Sequence, residues 1–200
     1  ASFTYVVSDS LGAFSSATVS IEVEAEQEVI NGTAGDDILT GTTGDETING
    51  LAGADTIDGN GGVDTLVGGA GNDIYIVDSA DDVTTELLDE GTDFVQSSIT
   101  WTLAANVEDL TLTGTAAIAY GNVLGNVLTG NASANSLYGF EGNDTLNGGT
   151  GADQMFGADG DDTYIVDNTG DSTSEVSALG GVDTVISSVT RNLAANLENL

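Results

Sequence analysis

The chain has 200 residues, of which 33 are Asp or Glu and one is basic, and its formal net charge is −32. This charge repels phosphate groups, so we expect no nucleic acid partner and no membrane insertion, and we expect cations to bind instead. Cysteine and histidine are both absent, which excludes disulfide bonds, zinc sites with Cys or His ligands, and histidine-based catalysis.

The first predicted element is a β-hairpin within residues 1–24. Hydrophobic residues such as Tyr5, Val7 and Val19 alternate with polar ones on either side of the turn sequence "SDSLG", as is typical of strands. The hairpin resembles the last two strands of the cadherin-like or Ig-like modules of large bacterial surface proteins. Residues 25–30 are predicted to be a short linker. The opening "ASFTYVVSDS" has neither a basic region nor an apolar core, so we expect no cleaved signal peptide and interpret the chain as part of a longer protein.

Two arrays of nine-residue rows follow, at residues 31–78 and 121–167. The rows cut from Gly32 read GTAGDDILT, GTTGDETIN, GLAGADTID, GNGGVDTLV and GGAGNDIYI, and those cut from Gly121 read GNVLGNVLT, GNASANSLY, GFEGNDTLN, GGTGADQMF and GADGDDTYI. Position one is glycine in all ten rows, and position eight is Leu, Ile, Met or Tyr. Position six is acidic in eight of the ten rows, although acids make up only 33 of 200 residues. A merely acidic surface would not keep this period.

The rows predict an all-β fold, a parallel β-solenoid. Glycine at positions one and four allows tight turns, positions seven to nine form a short strand, and two successive rows make one coil. Successive coils stack about 4.8 Å apart through parallel ladders. The position-eight side chains then point inward, with Leu39, Ile57 and Tyr75 on one wall and Ile48 and Leu66 on the other.

Stacking also aligns the acids at position six. Acids that are two rows apart, such as Asp37 and Asp55, lie one above the other in successive coils. At about 5 Å and an effective dielectric constant near 20, two such carboxylates repel by roughly 3 kcal/mol. A calcium ion between the coils removes this repulsion, because Ca²⁺ prefers carboxylate and carbonyl oxygens and accepts flexible geometry, whereas Mg²⁺ demands a strict octahedron. The rows therefore predict several Ca²⁺ ions between coils.

The rows resemble the calcium-binding nonapeptide G-G-x-G-x-D-x-U-x of the RTX (repeats-in-toxin) family. The resemblance implies a right-handed parallel β-roll in which position-six acids and carbonyl groups of the glycine-rich half hold Ca²⁺. The implied ligands are the acids Asp37, Glu46, Asp55, Asp64, Asp73, Asp144, Asp153 and Asp162 and the loop glycines Gly35, Gly53, Gly71, Gly142 and Gly160. The implied pairs are Asp37/Asp55, Asp55/Asp73, Glu46/Asp64, Asp144/Asp162, Asn126/Asp144 and Asn135/Asp153. We expect weak or absent binding where Asn126 and Asn135 replace the acid and Leu124 and Ser133 replace the position-four glycine.

The segments that follow the arrays, residues 79–120 and 168–200, are predicted to be calcium-poor connectors that continue the solenoid. "YIVDSADDV" from Tyr75 reappears as "YIVDNTGDS" from Tyr164, so array and connector form a longer repeat, whose second copy stops at the last residue. The two tyrosines and Trp101 are expected to close the solenoid interior. The acids expected to face water are Asp36, Asp45 and Asp161 at position five and Asp78, Asp81, Asp82, Glu86, Asp89 and Glu90 in the first connector.

Three classes of function fit these features. The first is a calcium-binding structural segment of a large secreted bacterial surface protein, adhesin or extracellular fibre, which folds on Ca²⁺ outside the cell. The second is a calcium-folded accessory domain of an extracellular RTX enzyme such as a protease, a lipase or a polysaccharide epimerase. The third is a carbohydrate- or ice-binding module. The resemblance implies type I secretion. We see no catalytic set of residues and predict that the chain is not an enzyme. Open strand edges suggest end-to-end association into filaments.

Overall fold

Parallel β-coils account for most of the chain that the computed structural model describes, which is residues 2–20, 27–175 and 180–200. An antiparallel hairpin comes first and a parallel β-solenoid of about nine turns follows, so the predicted all-β fold is confirmed. Within these three ranges, no helix is long and apolar enough to cross a bilayer.

Most strands of the solenoid have only three or four residues, as expected when each row contributes one short strand between two turns. The strands are β1 (Ser2–Ser8), β2 (Phe14–Ser20), β3 (Glu28–Asn31), β4 (Ile38–Thr40), β5 (Glu46–Ala52), β6 (Thr56–Asp58), β7 (Thr65–Ala70), β8 (Ile74–Val77), β9 (Val83–Thr85), β10 (Phe94–Ser97), β11 (Trp101–Thr102), β12 (Asp109–Leu112), β13 (Ile118–Tyr120), β14 (Val127–Thr129), β15 (Ser136–Glu141), β16 (Thr145–Asn147), β17 (Gln154–Asp159), β18 (Thr163–Val166), β19 (Ser172–Ser174) and β20 (Thr184–Ser187).

The hairpin consists of β1 and β2, which pair in antiparallel register along their whole length. Its turn is organised by Asp9, whose Oδ1 accepts hydrogen bonds from the amides of Leu11 at 2.8 Å and Ala13 at 2.9 Å. Gly12 adopts a positive φ of 81°, which a residue with a side chain rarely adopts. The predicted hairpin is confirmed.

The solenoid has two walls. One is a single nine-stranded parallel sheet in the order β4-β6-β8-β10-β12-β14-β16-β18-β20. The other contains a four-stranded sheet, β3-β5-β7-β9, and a five-stranded sheet, β11-β13-β15-β17-β19. Because the nine-stranded sheet runs through both arrays, residues 79–120 continue the solenoid. Strand β3 begins at Glu28, inside the predicted linker 25–30, and pairs with β5, while residues 25 and 26 lie outside the described ranges.

Coil length separates the arrays from the connectors. Within the arrays, each strand residue pairs with the residue two rows further on, as predicted. The connector coils differ, because the pairs Ile74–Phe94 and Thr163–Thr184 enclose a longer coil and the pair Phe94–Asp109 a shorter one. The ladder therefore tolerates longer and shorter turns while the strands stay aligned.

The core is one side chain thick on each wall. Ile48, Ile57, Leu66 and Tyr75 are fully buried, and Leu39 is partly buried and packs against the same cluster. Leu39 pairs with Ile57 and Ile57 with Tyr75, so the predicted inward file on this wall is confirmed. Such a thin core buries little apolar area per coil, so the hydrophobic effect alone contributes little stability to each coil.

Aromatic side chains lie both inside and on the outer face. Tyr164 and Trp101 are buried in the core as predicted, so the Trp101 ring is not available for stacking on a sugar. On the outer face of β13, β15 and β17, the rings of Tyr120 and Tyr138 stack with centroids 5.0 Å apart, and those of Tyr138 and Phe156 at 4.7 Å. This ladder adds cross-strand packing that needs no metal.

Candidate metal centre

The side chains at position six point into the solenoid. Positions six and eight lie on the same face of a strand, so an acid at position six is adjacent to the buried residue at position eight. Glu46 is 2% exposed and Asp55 is 1% exposed, and Asp37, in the first row, is only partly buried. The other predicted acid ligands are also buried, namely Asp64, Asp73, Asp144, Asp153 and Asp162.

One oxygen of each buried aspartate is bound to the backbone of the preceding coil. Asp55 Oδ1 accepts the amide of Asp37 at 2.8 Å, and Asp73 Oδ1 accepts the amide of Asp55 at 2.7 Å. Asp144 Oδ1 accepts the amide of Asn126 at 2.7 Å in the second array. This bond recurs from coil to coil within the arrays and holds each carboxylate between two coils.

The second oxygen of each of these aspartates is buried without a partner. Six of the eight predicted acid ligands have such an Oδ2 atom, for which the described residues supply no hydrogen bond: Asp55, Asp64, Asp73, Asp144, Asp153 and Asp162. A buried charged oxygen that lacks a partner costs about 1–3 kcal/mol or more, and a series as regular as this one requires an explanation. A cation between the coils supplies the missing partner, and the donor set consists of oxygens alone, as Ca²⁺ prefers.

The first two acids are satisfied locally. Asp37 Oδ2 accepts the amide of Thr33 at 2.6 Å, and Glu46 Oε2 accepts the amide of Thr42 at 3.0 Å. The hydroxyl of Thr42 also donates to Glu46, and these bonds lower the pKa of Glu46. The first position-six acid whose second oxygen has no partner among the described residues is therefore Asp55, in the third row.

Glycine at position one leaves space beside each carboxylate. A Cβ atom on Gly32 would lie 2.6 Å from the carbonyl oxygen of Gly50 and 2.9 Å from Asp37 Oδ2. A Cβ atom on Gly41 would lie 2.6 Å from the Gly59 carbonyl oxygen and 2.8 Å from Glu46 Oε2. A carboxylate oxygen and a carbonyl oxygen thus converge where any other residue would place its side chain.

Position-four glycines let neighbouring loops stack closely. Gly53 and Gly71 have positive φ values of 116° and 146°, and Gly142 and Gly160 have values of 108° and 141°. A Cβ atom on Gly53 would lie 2.9 Å from the Gly35 carbonyl oxygen. A Cβ atom on any of the other three glycines would likewise contact the carbonyl oxygen of the position-four residue in the preceding loop. Both the backbone conformation and the close approach require glycine at these positions.

Burial raises the pKa of most of these acids. The pKa of Asp144 rises to about 7 and that of Asp162 to about 6, because burial disfavours the charge more than the backbone hydrogen bonds favour it, and neighbouring acids add to the shift. Burial also raises the pKa values of Asp64, Asp73 and Asp153. When no cation is bound, burial therefore disfavours the charged form of these carboxylates.

The comparison with known families addresses the same rows. A family model described as RTX calcium-binding nonapeptide repeat (4 copies) matches residues 26–41, 40–75, 120–155, 129–164 and 138–172, together about half of the chain. The chain belongs to the RTX calcium-binding nonapeptide-repeat family. No curated protein matches the chain significantly. RTX repeats bind calcium, and both matched regions contain buried acids with an oxygen that no described residue partners.

Two RTX rows carry asparagine instead of the acid at position six, and there the side-chain amide nitrogen forms a hydrogen bond within the protein. Asn126 Nδ2 donates to the carbonyl oxygen of Glu108 at 3.0 Å, and Asn135 Nδ2 donates to that of Ala116 at 2.9 Å. The amide nitrogen thus supplies the positive partner that the neighbouring oxygens need. These contacts support the expectation of weak or absent calcium binding in these two rows.

Six of the nine acids expected to face water are exposed. Asp36, Asp45 and Asp161 are exposed, and each accepts an amide of the following coil, as Asp36 does from Ala54 at 2.8 Å. The expectation was wrong for Asp82 and Glu86, which are 7% and 6% exposed. Their side chains point inward because the connector keeps the strand alternation of the rows. The remaining connector acids, Asp78, Asp81 and Asp89, are exposed and Glu90 is half-buried.

Sequence reasoning also missed functional residues in the connectors. Asp93 and Asp183 are each 1% exposed and accept the amides of Asp73 at 2.8 Å and Asp162 at 2.9 Å, as position-six acids do. The signal was present, since "GTDFV" and "GVDTV" repeat the pattern of "GADTI" in the first array. Glu175 is 8% exposed and is the equivalent of Glu86 in the second copy of the longer repeat.

Proposed function

We propose that this chain is a calcium-binding structural segment of a large secreted bacterial surface protein, adhesin or extracellular fibre, and that it folds on Ca²⁺ outside the cell. The observation that carries the proposal is the series of six aspartates whose second oxygen is buried and finds no partner in the described ranges. These oxygens lie within rows of a calcium-binding family. The nine-stranded sheet that joins both arrays supports an extended, load-bearing role.

The energetics support folding controlled by calcium. A site with a dissociation constant near 10⁻⁴ M contributes about 1.4 kcal/mol at millimolar calcium. Four such sites contribute roughly 6 kcal/mol, comparable to the whole stability of a small domain. At the sub-micromolar calcium concentration of a bacterial cytosol this contribution vanishes, while the cost of burying the carboxylates in the folded state remains. The chain would then stay unfolded inside the cell, which suits export by type I secretion.

Circular dichroism of the metal-free protein tests this proposal. The protein in EDTA at neutral pH should lack most of its β signal and gain it cooperatively as calcium rises from micromolar to millimolar. Magnesium at the same concentration serves as the control and should restore much less, because it demands octahedral geometry and keeps its water. Full β content in excess EDTA would refute the proposal.

The chain is proposed to have no enzymatic activity of its own. The buried acids recur in the register of the coils, which suits ligands, and paired carboxylates for glycoside hydrolysis would have to face an open cleft instead. The alternative function is an accessory domain of an extracellular enzyme. A catalytic domain encoded in the same gene would favour that alternative, and tandem copies of the array-connector repeat would favour the structural segment.

End-to-end association is a separate proposal. Among the described residues, β4 is an edge of the nine-stranded sheet with one neighbour, whereas β20, at the other edge, also forms a parallel bridge from Thr184 to Asn199. Unpaired strand edges recruit other strands. Electron microscopy with and without chelator tests the idea, and filaments should form only with calcium. Monodisperse particles under both conditions would contradict it.

A further inference from the structure

Two clusters of three buried carboxylates lie where an array meets its connector. Asp73, Glu86 and Asp93 each offer a carboxylate oxygen, and these oxygens all lie within 4.8 Å of one another. The three residues are 1%, 6% and 1% exposed. The same arrangement recurs in the second copy of the longer repeat, at Asp162, Glu175 and Asp183.

The glutamate of each cluster stands outside the nonapeptide pattern. Glu86 follows Gly68, and Glu175 follows Gly157, by the length of two rows, so each occupies the place of a position-one glycine one coil further on. In the ordinary rows that place has no side chain. Here a carboxylate fills the space beside the position-six aspartate, and a Cβ atom on Gly68 would meet both Asp73 Oδ2 and Glu86 Oε1.

A tyrosine at position eight holds the glutamate in place. The Tyr75 hydroxyl donates to Glu86 Oε1 and accepts the amide of Gly68 at 2.7 Å. Tyr164 makes the same pair of contacts with Glu175 and with the amide of Gly157 at 2.8 Å. In both arrays the tyrosine that makes these contacts stands at position eight of the last row, so the arrangement is specific to this junction.

The first cluster has three buried oxygens without partners. Asp73 Oδ1 and Asp93 Oδ1 accept backbone amides, and Glu86 Oε1 accepts the Tyr75 hydroxyl. The remaining oxygens, Asp73 Oδ2, Asp93 Oδ2 and Glu86 Oε2, have no hydrogen-bond partner anywhere in the described part of the chain. In the second cluster, Glu175 Oε2 accepts the amide of Ala158 at 3.2 Å, and Asp162 Oδ2 finds no partner among the residues that the structure describes.

We propose that Asp73, Glu86 and Asp93 form a calcium site of a second kind that terminates the first array, and that Asp162, Glu175 and Asp183 form its equivalent after the second array. An ordinary pair of rows offers two side-chain carboxylates, whereas each terminal site offers three. Calcium affinity increases with the number of charged ligands and with the rigidity of the site. The terminal sites therefore bind calcium more tightly than the ordinary rows and release it last. This inference rests on the calcium-dependent folding proposed above.

Substitutions of Glu86 test the terminal site. Glu86→Gln removes one charge, and Glu86→Gly restores the glycine of an ordinary row, so at least one variant is expected to keep the fold in calcium. Asp89→Asn is the matched control, because it removes one charge from an exposed residue three positions away. Folding of every variant is first checked by circular dichroism in excess calcium.

The readout is the number and affinity of bound ions, measured by equilibrium dialysis with radioactive calcium. The wild type and Asp89→Asn should show a tight class of sites that the Glu86 variants reduce by one ion, with affinity at that site falling at least tenfold. Terbium provides a second readout, since its emission is sensitised by a nearby tyrosine and should decrease in the same variants.

The two proposals fail in different ways. If Glu86→Gln and Glu86→Gly bind as many ions as Asp89→Asn with the same affinities, the terminal site is refuted even though folding still requires calcium. If the wild type is fully folded in EDTA, calcium-dependent folding fails, whatever the count of ions shows. A loss of one tight ion in either variant, with the other sites retained, supports the terminal site.

Discussion

The substitution Asp55→Asn is predicted to change stability in opposite directions with and without calcium. Asp55 is 1% exposed, its Oδ1 accepts the amide of Asp37 at 2.8 Å, and its Oδ2 has no partner among the residues described. Asparagine keeps the acceptor oxygen and replaces Oδ2 by a neutral amide group. The chain itself uses this replacement at Asn126, so the fold accepts it.

The expected magnitude follows from the two predicted calcium sites that include Asp55. In millimolar calcium, the loss of both the Asp37/Asp55 and the Asp55/Asp73 sites removes about 1.4 kcal/mol each, so the variant should be less stable by about 3 kcal/mol. In EDTA, the variant loses a buried charge without a partner and its repulsion from Asp73. It should therefore be more stable than the wild type by about 1–3 kcal/mol.

Equilibrium unfolding followed by circular dichroism measures both effects. In calcium, urea unfolding gives the stability directly; in EDTA, folding is driven by trimethylamine N-oxide and the midpoints are compared. The control is Asp36→Asn, at an exposed neighbouring position, which should change stability by less than about 0.5 kcal/mol under both conditions. If Asp55→Asn destabilises the protein equally in calcium and in EDTA, the reasoning is refuted.

Three further predictions concern other parts of the coil. Burial raises the pKa of Glu86 to about 8 and of Asp144 to about 7, so the metal-free fold binds protons that the unfolded chain releases. In EDTA, the contribution of these acids to the free energy of unfolding should be complete at about pH 4, close to their unfolded-state pKa values, and should be lost as the pH rises towards about 8. A stability that rises over this range, measured by circular dichroism, would contradict the prediction. A methyl group on Gly50 would press on the carboxylate of its own row and lie 2.6 Å from a carbonyl oxygen of the next coil. Gly50→Ala should destabilise the calcium-loaded protein by about 1–3 kcal/mol in urea unfolding, whereas Gly61→Ala, where the described neighbours leave open space, should change little. Leu51 has a φ of 83° and is 53% exposed, so Leu51→Gly should raise stability by about 1 kcal/mol, and a lower thermal midpoint would show that the side chain matters more than the backbone strain.

The period of the sequence predicted the coil and most of the candidate site, because one alternation determines both. Once position eight is inside, position six must also be inside, and a spacing of two rows places Asp55 next to Asp73. For this reason the inward file could be predicted from the sequence, and the same alternation explains why the position-six acids are buried in the structure. The sequence could not show that one oxygen of each acid binds an amide and the other has no partner, since that depends on atomic positions.

The connectors were predicted less well, because their coils do not keep the nine-residue period. The longer coils that end at Phe94 and Thr184, and the shorter coil that ends at Asp109, shift the later residues out of the row numbering. Glu86 still keeps the two-row spacing from Gly68, but its segment lacks the glycine pattern of the rows, so it reads as a surface acid in the sequence. Local alternation carries the correct information there, and "GTDFV" indicates a buried Asp93 without any reference to the period.

The location of bound ions tests the central claim most directly. We predict that a crystal grown in calcium will show anomalous scattering peaks between successive coils, each in contact with the second carboxylate oxygen of position-six aspartates such as Asp64, Asp73 and Asp153. A structure with the coils intact, and with only water next to those oxygens at saturating calcium, would contradict the account.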